Sequence, residues 1–307
     1  EFNNYLSTEG DYPTMTEFSV TCKRDKGGAT LKKMEKYMGN VFTDLGVTPK
    51  MTISSYSLLQ SSFISEMNRS DATPCNLVLG GMTDLESHIK IIAGEMFSET
   101  GIDEEGRIEV IVSQECMVQR GFLIGETRVA EHYKMPDGSP MRLLIKGVFE
   151  PVNTGDFYWQ IGTATVNATA YCPFECFYDL FTGDNAEKYS ITAKYYPMFE
   201  YEDITSDKVD QILAGTDYLA NKSPYKSVVK IHGYQSILEN YKLKVNRISA
   251  TLIILEVPVL VMLAAFLLMI SGQMYEMEKN EISVTGSAYE IVKSDTKWTN
   301  EYSDGLT

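Results

Sequence analysis

The stretch ATLIILEVPVLVMLAAFLLMISGQM, residues 250–274, is the only part of the chain apolar enough to cross a lipid bilayer. Its length suits a helix that spans about 30 Å of hydrocarbon. Pro258 is the one interruption in its apolar centre, and Glu256 lies within its first turns. A buried core helix is the alternative, but core helices seldom run this long without a polar stripe. The segment therefore predicts one transmembrane helix, assigned to 249–274.

Composition places the rest of the chain among folded globular domains. The 307 residues are 44% hydrophobic and 22% charged, which excludes a mainly disordered chain. The net charge is −15, from 42 acidic against 27 basic residues. Binding to nucleic acid needs a surplus of Lys and Arg, so the charge excludes nucleic acid as the main partner.

The first part of the chain has the pattern of a strand–helix–strand unit. β-type residues at 15–23 and 50–59 predict two strands. Between them, apolar residues recur at helical spacing, and Gly46 follows as a stop signal. The residues on that helical face are Leu31, Met34, Met38, Val41, Phe42 and Leu45.

A second unit of the same kind is predicted next. Short apolar runs at 76–81 and 108–113 predict its two strands. Thr83 and Glu86 have the spacing of a capping box, which predicts a helix that begins there. One face of this helix would carry Leu85, Ile89, Ile92 and Met96.

Strands then dominate a β-rich subdomain from about residue 108 to 200. Segments 125–134 and 141–151, joined by the turn PDGS, predict a hairpin. Segments 162–172 and 187–197 predict further strands.

Two helical patterns, at 206–221 and 234–248, complete the domain. The second runs without a helix breaker into the apolar stretch and predicts a helical stalk between the domain and the bilayer. The predicted fold class is therefore α+β, with strand–helix–strand units and a β-rich subdomain, followed by the stalk and one transmembrane helix.

Motifs of catalysis and cofactor binding are absent from the sequence. No phosphate-binding loop, zinc-protease motif or nucleophile elbow occurs. Of five cysteines only Cys172 and Cys176 are close, and no second pair or nearby histidine completes a metal site. No enzyme, metal or cofactor is predicted, although a hydrolase whose site is assembled across the fold stays open. The histidines available to it are His88, His132 and His232.

Aromatic runs are the candidates for a recognition surface. Phe157, Tyr158 and Trp159 are consecutive, as are Tyr195 and Tyr196. Such side chains could bind a peptide or a lipid. They could equally fill the core, because aromatic area dominates protein interiors as well, and this alternative is favoured.

The run IEVIVSQECMVQRGFLIGETRVAEHYKMPDGSPMRLLIKGVFEP, residues 108–151, resembles a segment of FtsX/MacB-type transporter permeases. In that family a strand, a short helix, a G-(D/E)-T turn and a hairpin ending in V-G-I-F-E-P follow one another. Gly125-Glu126-Thr127 and Lys146 to Pro151 occupy those places, and Phe157-Tyr158-Trp159 resembles the P-Y-W that often follows. The apolar stretch and the charged residues after it are similar to the family's second membrane helix and its cytoplasmic extension.

The resemblance implies a permease subunit of an ABC transporter in a bacterial cell membrane. Residues 1–248 would form a MacB-like extracytoplasmic domain, and 275–284 a cytoplasmic juxtamembrane helix. ATP hydrolysis would move the membrane helices and, through the stalk, the outer domain, in mechanotransmission or in export of lipid or peptide substrates. The implied partners are a cytoplasmic ABC ATPase subunit, the bilayer, a second permease copy or homologue, and an extracytoplasmic protein, peptide or lipid. The candidate ATPase-coupling residues are Glu276, Glu278, Lys279 and Glu281.

Two features depart from the family pattern. The extension breaks off at Val284, so 285–307 would be a tail, a cloning junction or a fragment of a second domain, and the family's first span is missing. Counting basic residues would place the large domain inside, but large translocated domains obey this rule poorly, and the family order is preferred. The bases near the span are Lys242, Lys244 and Arg247 before it and Lys279 after it. A membrane-anchored receptor without an ATPase is the alternative function.

Overall fold

The structure is a computed structural model that describes residues 14–67, 73–156, 158–159, 166–200, 202, 204–222, 228–231 and 233–303. The chain divides into two units, Glu1–Asn240 and Tyr241–Thr307. The first unit mixes one large sheet with helices, which confirms the predicted α+β class.

Eleven strands lie in the described part of the first unit, and all belong to one sheet. They are β1 (Thr16–Cys22), β2 (Pro49–Leu58), β3 (Ser61–Ser65), β4 (Cys75–Met82), β5 (Ile89–Gly94), β6 (Ile108–Ser113), β7 (Thr127–Lys134), β8 (Pro140–Pro151), β9 (Thr169–Tyr171), β10 (Ile191–Phe199) and β11 (Val228–Ile231). The helices are α1 (Gly27–Met38), α2 (Val41–Leu45), α3 (Leu85–His88), α4 (Gln114–Arg120), α5 (Phe174–Phe181), α6 (Val209–Lys222) and α7 (Tyr234–Ser303).

Six of these strands form a closed ring in the order β4, β3, β7, β8, β6, β9 and back to β4. The ring closes on β4, where Leu77 pairs with Ser61 of β3 and Leu79 pairs with Ala170 of β9. Closure satisfies the backbone groups that an open edge would leave unpaired. It also buries β6 along its whole length.

The remaining strands extend the sheet from this ring. β2 pairs with both β4 and β10, β10 pairs with β1, and β1 pairs with β11, all antiparallel. Helix α1 packs against β1 and β10, and α2 packs against α6. The two strands of the first predicted unit, β1 and β2, are therefore not neighbours, because β10 lies between them.

The helix predicted after Thr83 is wrong beyond its first turn. Helix α3 ends at His88, and the chain then enters β5, which pairs antiparallel with β8. Ile89 and Ile92 therefore lie in a strand, and Met96 lies beyond it, so Leu85 is the only predicted face residue that is helical. Pairing with β8 outweighs the helical spacing because β-branched isoleucines suit a partly buried pleated strand.

The predicted capping box is also wrong. The Thr83 hydroxyl accepts a hydrogen bond from the Ser54 amide of β2 at 2.9 Å. The residue that precedes the helix is Asp84, with φ 58° and no side-chain cap. Thr83 thus joins two strands, and a single helical turn forms without the cap that Glu86 was expected to complete.

The other predicted elements are confirmed, with two changes. The hairpin is formed by β7 and β8, and α6 occupies the predicted helix at 206–221. The helix predicted through Leu45 is two helices, α1 and α2, separated at Gly39 and Asn40, and it ends at Gly46 with φ 71°. Of the strand predicted at 162–172 only β9 is extended, and 162–165 lie outside the described residues.

A buried ion pair holds the turn at 125–127. Glu126 and Arg128 are 0% and 1% exposed, and a guanidinium nitrogen of Arg128 lies 3.0 Å from Oε1 of Glu126. The Glu126 carboxylate also accepts hydrogen bonds from the Ser65 hydroxyl and from the Leu123 amide, the latter at 3.0 Å. Removing either charge would leave the other in the interior without its main partner, which is costly.

The described part of the second unit is the continuation of α7 as far as Ser303. From Lys242 to Ser283 every side chain is exposed. An 18-residue window of this helix has a mean hydropathy of 2.8, and among the described residues it is the only helix long and apolar enough to cross a membrane. Pro258 lies inside the helix, where it cannot donate the usual backbone hydrogen bond.

Replacing Arg128 with Met should destabilise the domain strongly, because the Glu126 carboxylate would stay buried without its cation. The expected loss is about 3–5 kcal/mol in the free energy of unfolding. Thermal unfolding of the whole chain in detergent, followed by near-UV circular dichroism, measures it.

Arg142→Met is the matched control. Arg142 pairs with Glu66 at 2.8 Å, but both side chains are about a third exposed. Such surface pairs contribute less than about 1 kcal/mol. Equal losses in the two variants would show that the buried pair is no more important than the surface pair.

Candidate functional site

An aromatic stack joins two of the predicted recognition residues to the core. Tyr158 and Trp159 are 0% and 6% exposed, and their ring centres lie 5.2 Å apart in an edge-on arrangement. On one side Tyr158 stacks on His88 at 3.9 Å with the rings nearly parallel. On the other side Trp159 stacks on Phe149 of β8 at 6.5 Å. Phe157 lies outside the described residues.

His88 is held between two carboxylates. Its Nδ1 lies 2.7 Å from Oδ2 of Asp156, and its Nε2 lies 3.4 Å from Oδ2 of Asp84. The hydroxyl of Tyr158 donates to the Thr83 carbonyl at 2.6 Å. The turn that ends β4 is thus fastened to the segment before Trp159, and burial raises the pKa of Tyr158.

A pocket of about 330 Å³ opens beside Trp159. Its apolar lining comes from Phe149, Trp159 and Val166, all buried. Its polar lining includes Glu115 at the start of α4 and Asn167 before β9. These elements meet because β6 and β9 are paired, which places α4 next to the end of the aromatic stack.

The polar side of the pocket is organised around the Glu115 carboxylate. The amide nitrogen of Asn167 donates to Glu115, and the amide nitrogen of Gln119 donates to it at 2.8 Å. Asn167 in turn accepts a hydrogen bond from the Ser113 hydroxyl at 2.9 Å. No ion pair between Glu115 and a Lys or Arg occurs in the part of the chain that the structure describes.

The predicted aromatics at Tyr195 and Tyr196 lie on opposite faces of β10, as consecutive strand residues do. Tyr196 belongs to the same core cluster as Tyr158 and Trp159. The hydroxyl of Tyr195 lies 2.8 Å from that of Tyr56, which donates to the Glu35 carboxylate at 3.2 Å. Burial raises the pKa of both Tyr195 and Tyr196. Of the described members of the predicted set, Trp159 is the one that lines the pocket, and a recognition role for the set stays a prediction.

Cys172 and Cys176 are buried free thiols; Cys176 lies in the first turn of α5, and Cys172 lies two residues before that helix. The Cys172 thiol donates to the Gly80 carbonyl at 3.6 Å. Burial raises the pKa of the Cys172 thiol. No cluster of three or more His, Cys, Asp or Glu side chains is placed to hold a metal among the described residues.

The first turns of α7 are anchored in the first unit. Tyr234 is fully buried, and its hydroxyl lies 2.8 Å from the Thr216 hydroxyl of α6. Its ring meets that of Phe199 of β10 edge-on at 5.3 Å. Leu238, one turn later, is also fully buried. These contacts fix the point at which the domain passes into the long helix.

The predicted coupling segment lies on α7 in the second unit. Its side chains are exposed, and they point in several directions around the helix because their spacing does not follow one face. Its members are Glu276, Glu278, Lys279 and Glu281. A role in coupling stays a prediction.

Comparisons with known proteins find structural likeness but no sequence relative. No family model matches the sequence, and no curated protein matches it. The chain is similar to the extracellular domain of the noncanonic ABC-type transporter YknZ from Gram-positive bacteria, with a TM-score of 0.35, 12% identity, and coverage of 70% of this chain and 98% of that one. It is also similar to a domain described as part of a permease from Porphyromonas gingivalis, with a TM-score of 0.36, 12% identity, and coverage of 71% and 91%. Superpositions this loose assign no function.

Sequence reasoning missed the polar half of the site. No sequence pattern connects His88 with Asp156, which lies 68 residues further along the chain. Glu115 and Asn167 carry no local signal that connects them. The aromatic pair at Tyr158 and Trp159 was the one signal available, because adjacent large aromatics are prominent in any sequence.

Replacing His88 with Ala should loosen the aromatic stack, because the Tyr158 ring and the Asp156 carboxylate both lose their partner. The expected loss is about 2–3 kcal/mol in the free energy of unfolding. The tryptophan emission maximum should also shift to longer wavelength, because the Trp159 indole becomes more exposed to water. His132→Ala is the control, since His132 is exposed on β7. An unchanged stability and emission in His88→Ala would contradict the role given to the stack.

Proposed function

We propose that this chain is the extracytoplasmic domain and following membrane helix of an ABC transporter permease. In this proposal the first unit lies outside a bacterial cell membrane, and α7 crosses the bilayer through 249–274. Residues 275–284 reach the cytoplasm and contact an ATPase subunit. A second permease copy or homologue completes the membrane part, and ATP hydrolysis moves the outer domain in mechanotransmission or export.

The observation that carries the proposal is the continuity of α7. The helix begins with the buried Tyr234 side chain, includes the apolar stretch, and ends at Ser303. An α-helix resists stretching because each turn is closed by backbone hydrogen bonds four residues apart. A displacement applied to its far end would therefore reach the contacts of Tyr234 with Thr216 and Phe199. The helices and the sheet of the outer domain would move as rigid bodies, as in hinge and shear transitions.

The sequence resemblance supplies the family in this proposal. Two motifs of the resemblance, the G-E-T turn and the segment 146–151, supply buried residues that hold the fold together. This fits a domain that works mechanically. Glu126 of the G-E-T turn is the buried partner of Arg128, and Phe149 of the segment 146–151 belongs to the core cluster. The structural likeness is too weak to add to this argument.

A membrane-anchored receptor is the second candidate, and the Trp159 pocket is the observation that favours it. A pocket of about 330 Å³ with an apolar floor and a few polar groups is within the range of ligand sites. In a receptor this pocket would be the working part, and the segment after the span would be only a tail.

Purification of the full-length protein in detergent from its own cells tests the two candidates. We expect an ATPase subunit to copurify in stoichiometric amount and to remain bound through the wash steps. Replacing Glu276, Glu278, Lys279 and Glu281 together by Ala should reduce the recovered ATPase activity at least about tenfold, which corresponds to about 1.4 kcal/mol of lost binding.

The matched control replaces the bases on the other side of the span, namely Lys242, Lys244 and Arg247, by Gln. This variant changes a similar number of charges and should retain the ATPase. Protein that contains no ATPase in any preparation would favour the receptor. Equal loss in both variants would show that the segment after the span is not the coupling surface.

A further inference from the structure

One charged side chain lies inside the apolar stretch of α7. Glu256 follows four aliphatic residues at 252–255 and precedes an apolar run that continues to Ile270. Its side chain is exposed, and the described residues give it no ion pair and no hydrogen bond. Ionisable residues in membrane helices are costly, and they almost always pair with another group or line a cavity. Glu256 therefore marks a point where another group should meet the helix.

The bases of α7 itself do not supply that partner. The nearest ones along the helix are Arg247, which lies before Glu256, and Lys279, which lies after the apolar stretch. Neither is three or four residues from Glu256, which is the spacing of an ion pair within one helix. A second copy of this chain in parallel would bring another carboxylate to the same depth, and like charges repel each other. The carboxylate therefore requires a cation from a different helix.

The surface around Glu256 has the shape that a second helix needs. A groove of about 320 Å³ runs along this side of α7, and it is lined by Leu252, Leu255, Glu256, Val259 and Leu260. These positions have the i, i+3, i+4, i+7, i+8 spacing of a single helix face. Four residues at such a spacing form the hole that receives a side chain of a facing helix. The carboxylate and the groove thus belong to the same face.

We propose that this face of α7 packs against a different transmembrane helix, one that carries an arginine or a lysine at the depth of Glu256. The basic side chain meets the Glu256 carboxylate, and apolar side chains next to it on that helix fill the groove between Leu252 and Leu260. Polar contacts hold helices together in lipid, where burial of apolar surface gives no driving force. The inference rests on the proposed function in one respect, because α7 must span the bilayer, but it does not require an ATPase.

Site-directed cross-linking of the whole chain in phosphatidylcholine vesicles tests the proposal. Leu260→Cys places a thiol in the groove, one turn from Glu256. The probes are two synthetic transmembrane peptides of leucine and alanine, each with one cysteine. One peptide has arginine at the depth of Glu256, one turn before its cysteine, and the other has leucine there. With copper phenanthroline as the oxidant, we expect about tenfold more disulfide-linked product from the arginine peptide than from the leucine peptide.

Three variants locate the contact. In the Leu260→Cys background, Glu256→Gln keeps the shape of the side chain but removes its charge, so the yield from the arginine peptide should fall close to that from the leucine peptide. Glu239→Gln is the matched control, since Glu239 is exposed on α7 before the span, and it should retain the full preference. Val261→Cys points the thiol away from the groove and should give little product with either peptide.

Carbonate extraction of the vesicles reports whether each variant spans the bilayer. An inserted chain that cross-links equally to both peptides, or that keeps the arginine preference after Glu256→Gln, would overturn the proposal. A product of two joined chains that forms in preference to the peptide product would also overturn it, because the groove would then hold a second copy. A chain that carbonate extracts would refute the span and, with it, the proposed function. Equal cross-linking of an inserted chain that still copurifies with an ATPase would refute this inference alone.

Discussion

Hydrogen bonding along both edges of β4 is the constraint on which the domain depends. One edge pairs with β2 and β3, and the other pairs with β9, so the same strand closes the ring and carries the sheet beyond it. The close approach of β2 and α5 to β4 requires glycine at positions 80 and 81. A Cβ at Gly80 would lie 2.9 Å from the Tyr56 carbonyl, and one at Gly81 would lie 3.0 Å from backbone and side-chain atoms of α5. Larger residues there would push β2 and α5 away from the strand.

The candidate site follows from this arrangement. β4 ends in the turn that carries Asp84 and His88, and the strand paired with it, β9, follows directly on the pocket residue Asn167. The site is therefore assembled where the ring closes, on rigid strands, with the His88 ring and its carboxylates fastening the one irregular segment. Side chains held by rigid strands lose little conformational freedom when a ligand binds. Pockets are therefore often found at the ends of closed sheets.

Prediction from the sequence succeeded where the signal is local and failed where a distant partner decides. The apolar stretch, the hairpin at β7 and β8, and the stop at Gly46 each need only neighbouring residues. The helix expected after Thr83 failed because β8, far away in the sequence, offers Ile89 and Ile91 a strand to pair with. The outer strands of both predicted strand–helix–strand units were recognised, but β1 and β2 of the first unit are not neighbours, because β10 lies between them.

Local patterns in the sequence are sufficient to predict the α+β class and one segment long and apolar enough for a bilayer, and to show that known catalytic motifs are absent. These follow from composition and from periodicities of 2 and 3.6 residues, which short segments carry alone. Packing across the fold places Tyr158, Trp159 and Tyr196 in one core cluster, whereas Tyr195 faces away from it. It alone placed His88 between Asp84 and Asp156 and joined Glu115 to Asn167. Such contacts depend on strand register over long sequence separations, and no local pattern encodes that register.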